Sequence, residues 1–118
     1  MAQNFENLDA WKKSVSFATF IYAVTKQFPK DELYGLTSQI RRASVSISSN
    51  IAEGAGRNTK KDFLRFIMIA FGSLNEVESQ LYVSHHLQYL NEHDFQEALR
   101  LTKDLGNILG GFRNYLKR

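Results

Sequence analysis

Between Lys60 and Leu90 apolar side chains return every three or four residues: Phe63, Phe66, Ile67, Ala70, Leu74, Val77 and Leu81. This spacing follows the turn of an α-helix and lays one stripe along it; a half-buried strand would alternate every two residues. A stripe of that length must be covered, so the rest of the chain has to supply matching faces. Three further segments carry the same periodicity. Leu8, Trp11, Val15, Ala18, Tyr22 and Thr25 mark a first helix over Leu8 to Gln27, with Asn7 or Asp9 as its cap and Phe28-Pro29 as its stop. Leu36, Ile40, Ala43, Ile47 and Ile51 mark a second, Leu36 to Glu53, with Gly54 placed to end it in a left-handed conformation. Thr59, followed by Asp62, opens the long third helix in the manner of a capping box. Asn91 with Asp94 repeats the pattern before a fourth, through Phe95, Ala98, Leu99, Thr102, Leu105, Leu109, Phe112 and Leu116.

Four helices with short connections predict an all-α chain, an antiparallel up-down-up-down four-helix bundle in one domain over residues 1–118. A helix of about 20 residues is about 30 Å long, which sets the expected height of the rod. With 43% hydrophobic and 23% charged residues the composition is globular, and a single proline, Pro29, argues against a turn-rich β fold. Cysteine is absent, which removes disulfides and thiolate chemistry and fits a reducing compartment. The opening MAQNFENLDAW lacks a basic-then-apolar signal profile, and the longest apolar run, Phe66 to Phe71, is too short to span a bilayer. A cytoplasmic protein with no membrane partner is expected.

The third helix carries more apolar surface than one stripe needs. Leu64, Met68 and Tyr82 extend one flank, while Ile69, Val83 and Leu87 lie on the opposite side. The second helix adds Val45, Ala52 and the small Ser44, Ser46, Ser48 and Ser49, which allow another backbone to come close. In the fourth, Gly106, Gly110 and Gly111 each cost up to about 1 kcal/mol relative to alanine, pointing to close packing, a bend or a frayed end. The surplus implies a homo-oligomer whose interface includes Ile69, Val83, Leu87, Val45 and Ala52.

Catalytic and metal chemistry find little support. A di-iron bundle needs Glu-x-x-His pairs, and none of Glu53, Glu76, Glu78 or Glu92 has a histidine three residues on. The neighbours His85 and His86 point about 100° apart on a helix and cannot chelate one ion together. The serines lack a Gly-x-Ser-x-Gly elbow and a strand to carry it. The chain is read as non-enzymatic, with no cofactor.

The segment SNIAEGAGRNTKKDF, Ser49 to Phe63, resembles a phosphate cradle only superficially. The dinucleotide pattern would need glycine where Thr59 stands, and the nucleoside-triphosphate loop would need Gly-Lys-Ser/Thr where Gly56-Arg57-Asn58 occurs. What remains is a helix start, whose exposed amides from Lys60 to Phe63 favour an anion, ringed by Arg57, Lys60, Lys61 and Arg65. Glu53 and Asp62 partly balance it, so a mere helix corner stays open as a reading. The net charge is only +3 but segregated: six basic residues lie between Arg41 and Arg65, and none between Phe66 and Leu99. In an antiparallel hairpin Arg42 falls level with Gly72 to Glu76, making Arg42 with Glu76 or Glu78 a candidate structural ion pair, within or between subunits.

GLTSQIRRASVSISSNIAEGAGR, Gly35 to Arg57, followed by KKDFLRFIMIAFGSLNEVESQL, Lys60 to Leu81, resembles the bacterial family of proteins encoded in intervening sequences of 23S ribosomal RNA genes, also called S23 ribosomal proteins. The start, LDAWKKSVSFATFIYAVTKQFPKDELYGL, fits as well, so the likeness covers nearly the whole chain. Ser48 departs from it, where many relatives have proline. The resemblance implies a left-handed antiparallel bundle assembling as a ring, a pentamer. It also implies kinship with the accessory variability protein of diversity-generating retroelements, a basic pentameric barrel that binds nucleic acid and a reverse transcriptase. It implies no enzymatic activity and does not make the chain part of a ribosome.

Together these readings lead to an oligomeric adaptor that holds RNA or DNA by its phosphates through Arg57, Lys60, Lys61 and Arg65, helped by Arg41 and the C-terminal basic residues. The alternative is a protein-interaction scaffold that binds no nucleic acid.

Overall fold

A computed structural model describes residues 4–118, leaving the first three residues of the N-terminal stretch outside it. Four α-helices make up most of the described chain: α1 (Asp9–Thr25), α2 (Leu36–Ala55), α3 (Lys60–His86) and α4 (Glu92–Leu116). Short 3-10 turns at Phe5–Asn7 and Lys30–Glu32 complete it, and no strand occurs among the described residues. At about 1.5 Å per residue α3 is about 40 Å long, in keeping with the overall dimensions of 44 × 24 × 20 Å. All four helices contribute to one core, in which Ile21, Ile40, Ile47, Ile51, Phe63, Ile67, Leu81, Leu105 and Leu109 are fully buried.

The α3 stripe is buried at every predicted position, and so is the α2 stripe except at its half-buried first member, Leu36. On α4, Leu99 and Phe112 are half-buried and the remaining predicted core residues are buried. The first helix differs. Its buried row is Ala10, Ser14, Phe17, Ala18, Ile21, Val24 and Thr25, whereas Val15 and Tyr22 face solvent. Both rows have three- and four-residue spacing and lie side by side on the helix, so periodicity alone does not separate them. The row with small Ala10 and Ser14 lets α1 approach its neighbours. Ser14 is matched there because its Oγ donates to the Trp11 carbonyl at 2.7 Å.

The helix ends follow from local chemistry. Thr59 Oγ1 accepts from the Asp62 amide at 3.1 Å and Asn91 Oδ1 from the Asp94 amide at 2.8 Å, the two caps expected. Neither Asn7 nor Asp9 caps α1; the position is held by Leu8 without a side-chain bond, and Asn4 instead caps the first 3-10 turn. Gly54 does not end α2. It lies buried one residue before the helix end, and a Cβ there would stand 2.8 Å from both the Phe63 ring and Phe66 Cβ, so it is the point where α3 crosses closest. The helix stops at Gly56, whose φ of −83° is ordinary. The left-handed residue is Gln88, at φ 64°, which ends α3 earlier than the apolar pattern suggests. Its amide donates to His85 O at 3.0 Å and the Tyr89 amide to Ser84 O at 2.9 Å, the paired bonds of a Schellman stop.

The glycines of α4 sit within a helix that continues to Leu116, so the end is not frayed. A Cβ at Gly106 would meet Leu74 at 3.7 Å and one at Gly110 would meet Phe71 at 4.0 Å, both ordinary contacts, and Gly111 has open space around it, so close packing accounts for none of the three.

Candidate nucleic-acid interface

The α2–α3 corner brings four of the five proposed basic residues together. Gly56 to Thr59 form a tight connection, Thr59 caps α3, and Lys60, Lys61 and Arg65 follow in its first turns. The Asp62 and Phe63 amides are taken by Thr59 Oγ1 and Thr59 O, which leaves the Lys60 and Lys61 amides without an acceptor among the described residues. Phe66 organises the side chains. The Arg57 guanidinium lies 4.7 Å from its ring centroid and that of Arg65 5.4 Å, so one mostly buried ring seats two cations. Lys60 Nζ stands 4.9 Å from the Tyr115 ring, tying the corner to the last turn of α4. Lys61 is exposed.

Two carboxylates answer these cations loosely. Arg57 is 3.8 Å from Glu53 and Arg65 is 3.9 Å from Asp62, with all four side chains well exposed. Exposed pairs of this length contribute about 0–1 kcal/mol and give way to a stronger anion. The corner therefore keeps donors that a phosphate backbone can use.

Phe66 and Tyr115 as seats for cations were missed in the sequence, where Phe66 reads as core and Tyr115 as a helix end. A phenylalanine next to Arg65 was the only available sign. The C-terminal Lys117 and Arg118 follow directly on the α4 turn that packs here through Phe63 and Phe112, whose rings lie 5.0 Å apart.

Arg41 is not part of this group. It lies in the second turn of α2, about 24 Å along the axis from Arg57 at 1.5 Å per residue. Its Nε donates to Thr25 Oγ1 at 2.8 Å and its guanidinium covers the Tyr22 ring at 4.8 Å, so it fastens α2 to the end of α1. Arg42 and Glu76 border one shallow polar recess with Gln39, Ser46 and Ser73, but they form no ion pair within 4 Å. Glu76 instead accepts from Gln80 Nε2 at 3.2 Å. Glu78 lies in a different recess, with Leu99, Thr102 and Lys103 of α4, which corrects its proposed pairing with Arg42 inside one chain. The reason is rotational: two residues along a helix turn a side chain about 200° away.

Of the proposed interface residues, Ile69, Val83 and Leu87 are exposed by 47–49% and Val45 by 40%, while Ala52 is half-buried. Among the described residues no three His, Asp or Glu side chains converge as metal ligands, and no helix is long and apolar enough to cross a membrane.

Comparison with curated proteins finds no match. A solved structure is similar over 89% of this chain and 95% of its own, with a TM-score of 0.82 and 23% identity: a protein of unknown function from the S23 ribosomal protein family of Bacteroides thetaiotaomicron. At that identity the likeness establishes the fold. Residues 6–111 match the family described as 23S rRNA-intervening sequence protein, nearly the whole chain. This four-helix chain therefore belongs to the 23S rRNA-intervening sequence protein family.

Proposed function

We propose that the protein is a non-enzymatic cytoplasmic adaptor, an antiparallel up-down-up-down bundle assembled as a homo-oligomeric ring, that binds RNA or DNA by its phosphates. One observation carries this reading. At the α2–α3 corner Arg57, Lys60, Lys61 and Arg65 surround two unmatched amides, with only loosely held Glu53 and Asp62 against them. Ring formation would repeat the corner around an axis and strengthen its field. Binding of this kind is insensitive to base sequence and falls steeply with salt, because each neutralised phosphate releases counterions.

Fluorescence anisotropy with a random RNA and a matched DNA at two salt concentrations tests it. The R57A/K60A/K61A variant should bind at least about tenfold more weakly and show a shallower salt slope. Unchanged affinity in that variant removes the corner from the function.

The half-exposed Ile69, Val83 and Leu87 favour a second reading, a scaffold that meets protein partners. In that case neither nucleic acid binds at physiological salt.

A further inference from the structure

The apolar side chains expected at one interface fall on two sides of the bundle. Each helix packs on two neighbours, α1 and α3 both on α2 and α4, which sets the four at the corners of a square. On α3, Ile69, Val83 and Leu87 recur at intervals of 14 and 4 residues, with Glu76 midway between the first two, and so keep one row. That row runs along the edge beside α2: Ser73, one turn after Ile69, donates to Ser46 at 2.9 Å, and Glu76 borders the recess shared with Arg42. On α2, Val45 and Ala52 follow Arg41 by 4 and 11 residues, and Arg41 is turned to Thr25 and Tyr22 of α1. They therefore belong to the α1–α2 side, where Val15, Tyr22 and Val45 are exposed by 38–43%. Arg42, Ser46, Ser49 and Glu53 form a polar row between the two surfaces.

Charge separates the two surfaces as well. From Phe66 to the end of α3 there is no lysine or arginine, so the ridge is apolar with an acid, Glu76, within it. The α1–α2 patch has Lys12 one turn before Val15 and Arg41 one turn before Val45, and α1 carries no carboxylate after Asp9. An acidic apolar ridge and a basic apolar patch complement each other, whereas two ridges or two patches set like charges together. Adjacent sides of a square bundle stand at about a right angle, so one partner cannot lie flat on both.

We propose that the occupant of each surface is another copy of this chain, joined head to tail: the α3 ridge of one copy seats on the α1–α2 patch of the next. The inference rests on the self-assembly proposed above and assigns the two surfaces that make it. Such a contact is heterologous, and two surfaces at about a right angle bring a row of copies back on itself as a closed ring. The polar row of α2, on the edge between them, then faces the ring axis.

Mixing variants that each lack one surface tests the pairing by light scattering. I69E/V83E loses the ridge and V15E/V45E loses the patch; each alone should be a single chain with wild-type helical dichroism. Mixed in equal amounts they should give a pair of chains and nothing larger, since one intact ridge meets one intact patch. A milder set of variants exploits the absence of cysteine from the chain. Ile69→Cys and Val15→Cys copies, produced together, should be joined by a short flexible bismaleimide as mixed pairs, while neither variant alone should link to itself. A wild-type monomer overturns the assembly and this inference with it. With an assembled wild type, the pairing alone is overturned by a V15E/V45E variant of unchanged mass, by folded Glu variants that stay single chains when mixed, by self-linking of either cysteine variant, or by the absence of mixed cysteine pairs.

Discussion

At Gly54 the absence of a side chain is a packing requirement. Alanine normally gains up to about 1 kcal/mol over glycine in a helix interior. Here its methyl would stand 2.8 Å from Phe63 and Phe66 across the crossing, and overpacking of that kind costs about 1–3 kcal/mol. Gly54→Ala should therefore lower stability in denaturant titration, against its helix propensity. Gln88 presents the opposite case, a side chain where glycine fits better. A left-handed conformation costs an L-residue roughly 1–2 kcal/mol, part of which glycine gives back in backbone entropy. Gln88→Gly should raise stability by up to about 1 kcal/mol in the same titration. The sequence invited the reverse assignment, a left-handed stop at Gly54 and helix through Gln88. Glycine satisfies both a tight crossing and a left-handed turn, so its identity does not say which need it meets.

Among the elements, α2, α3 and α4 were legible because each has one dominant apolar row and, for α3 and α4, a capping residue ahead of it. On α1 two neighbouring rows compete, and burial of Ala10 and Ser14 in preference to Val15 and Tyr22 depends on how closely the partner helices come. The α3–α4 connection carries a pH dependence. Glu92, in the first turn of α4, accepts from Gln96 Nε2 at 2.8 Å and lies 3.3 Å from His85 Nε2, whose ring stacks on Phe95. The Gln96 bond chiefly holds the Glu92 carboxyl below its ordinary range, against the opposing effect of desolvation and with lesser help from His85. A carboxylate depressed in the folded state stabilises above its unfolded pKa, and that contribution is lost as pH falls through the folded value. Melting temperature should thus fall from about pH 5 downward, less steeply in Glu92→Gln than in the wild type, with both curves followed by circular dichroism.

For the whole molecule, charge and apolar surface are placed on different parts. Basic residues collect at the α2–α3 corner beside the end of α4, whereas Ile69, Val83 and Leu87 lie along the side of α3. That division suits a subunit that joins copies by one surface and offers another to an anion. Light scattering should give a mass above that of one chain at micromolar concentration. Ile69→Glu with Val83→Glu should reduce it to one chain while far-ultraviolet dichroism keeps its helical form, since neither residue belongs to the core. A wild-type monomer would contradict the assembly. The four basic residues at the corner could be found in sequence because they are local to one turn and one helix start. The fastening of Arg41 to Thr25 and Tyr22 could not, because it depends on the far end of α1.

The pairing of α2 with α3 has a consequence for how the protein is made. These consecutive helices have the most extensive mutual packing, with a crossing at Gly54 and a 2.9 Å hydrogen bond from Ser73 to Ser46, joined by a very short link. α1 and α4 meet less extensively and across nearly the full chain. Short loops close sooner than long ones, so assembly should begin mid-chain and finish when the outer helices dock. On a translating ribosome the central helix pair can form early, but its inner face stays open until the last helix emerges.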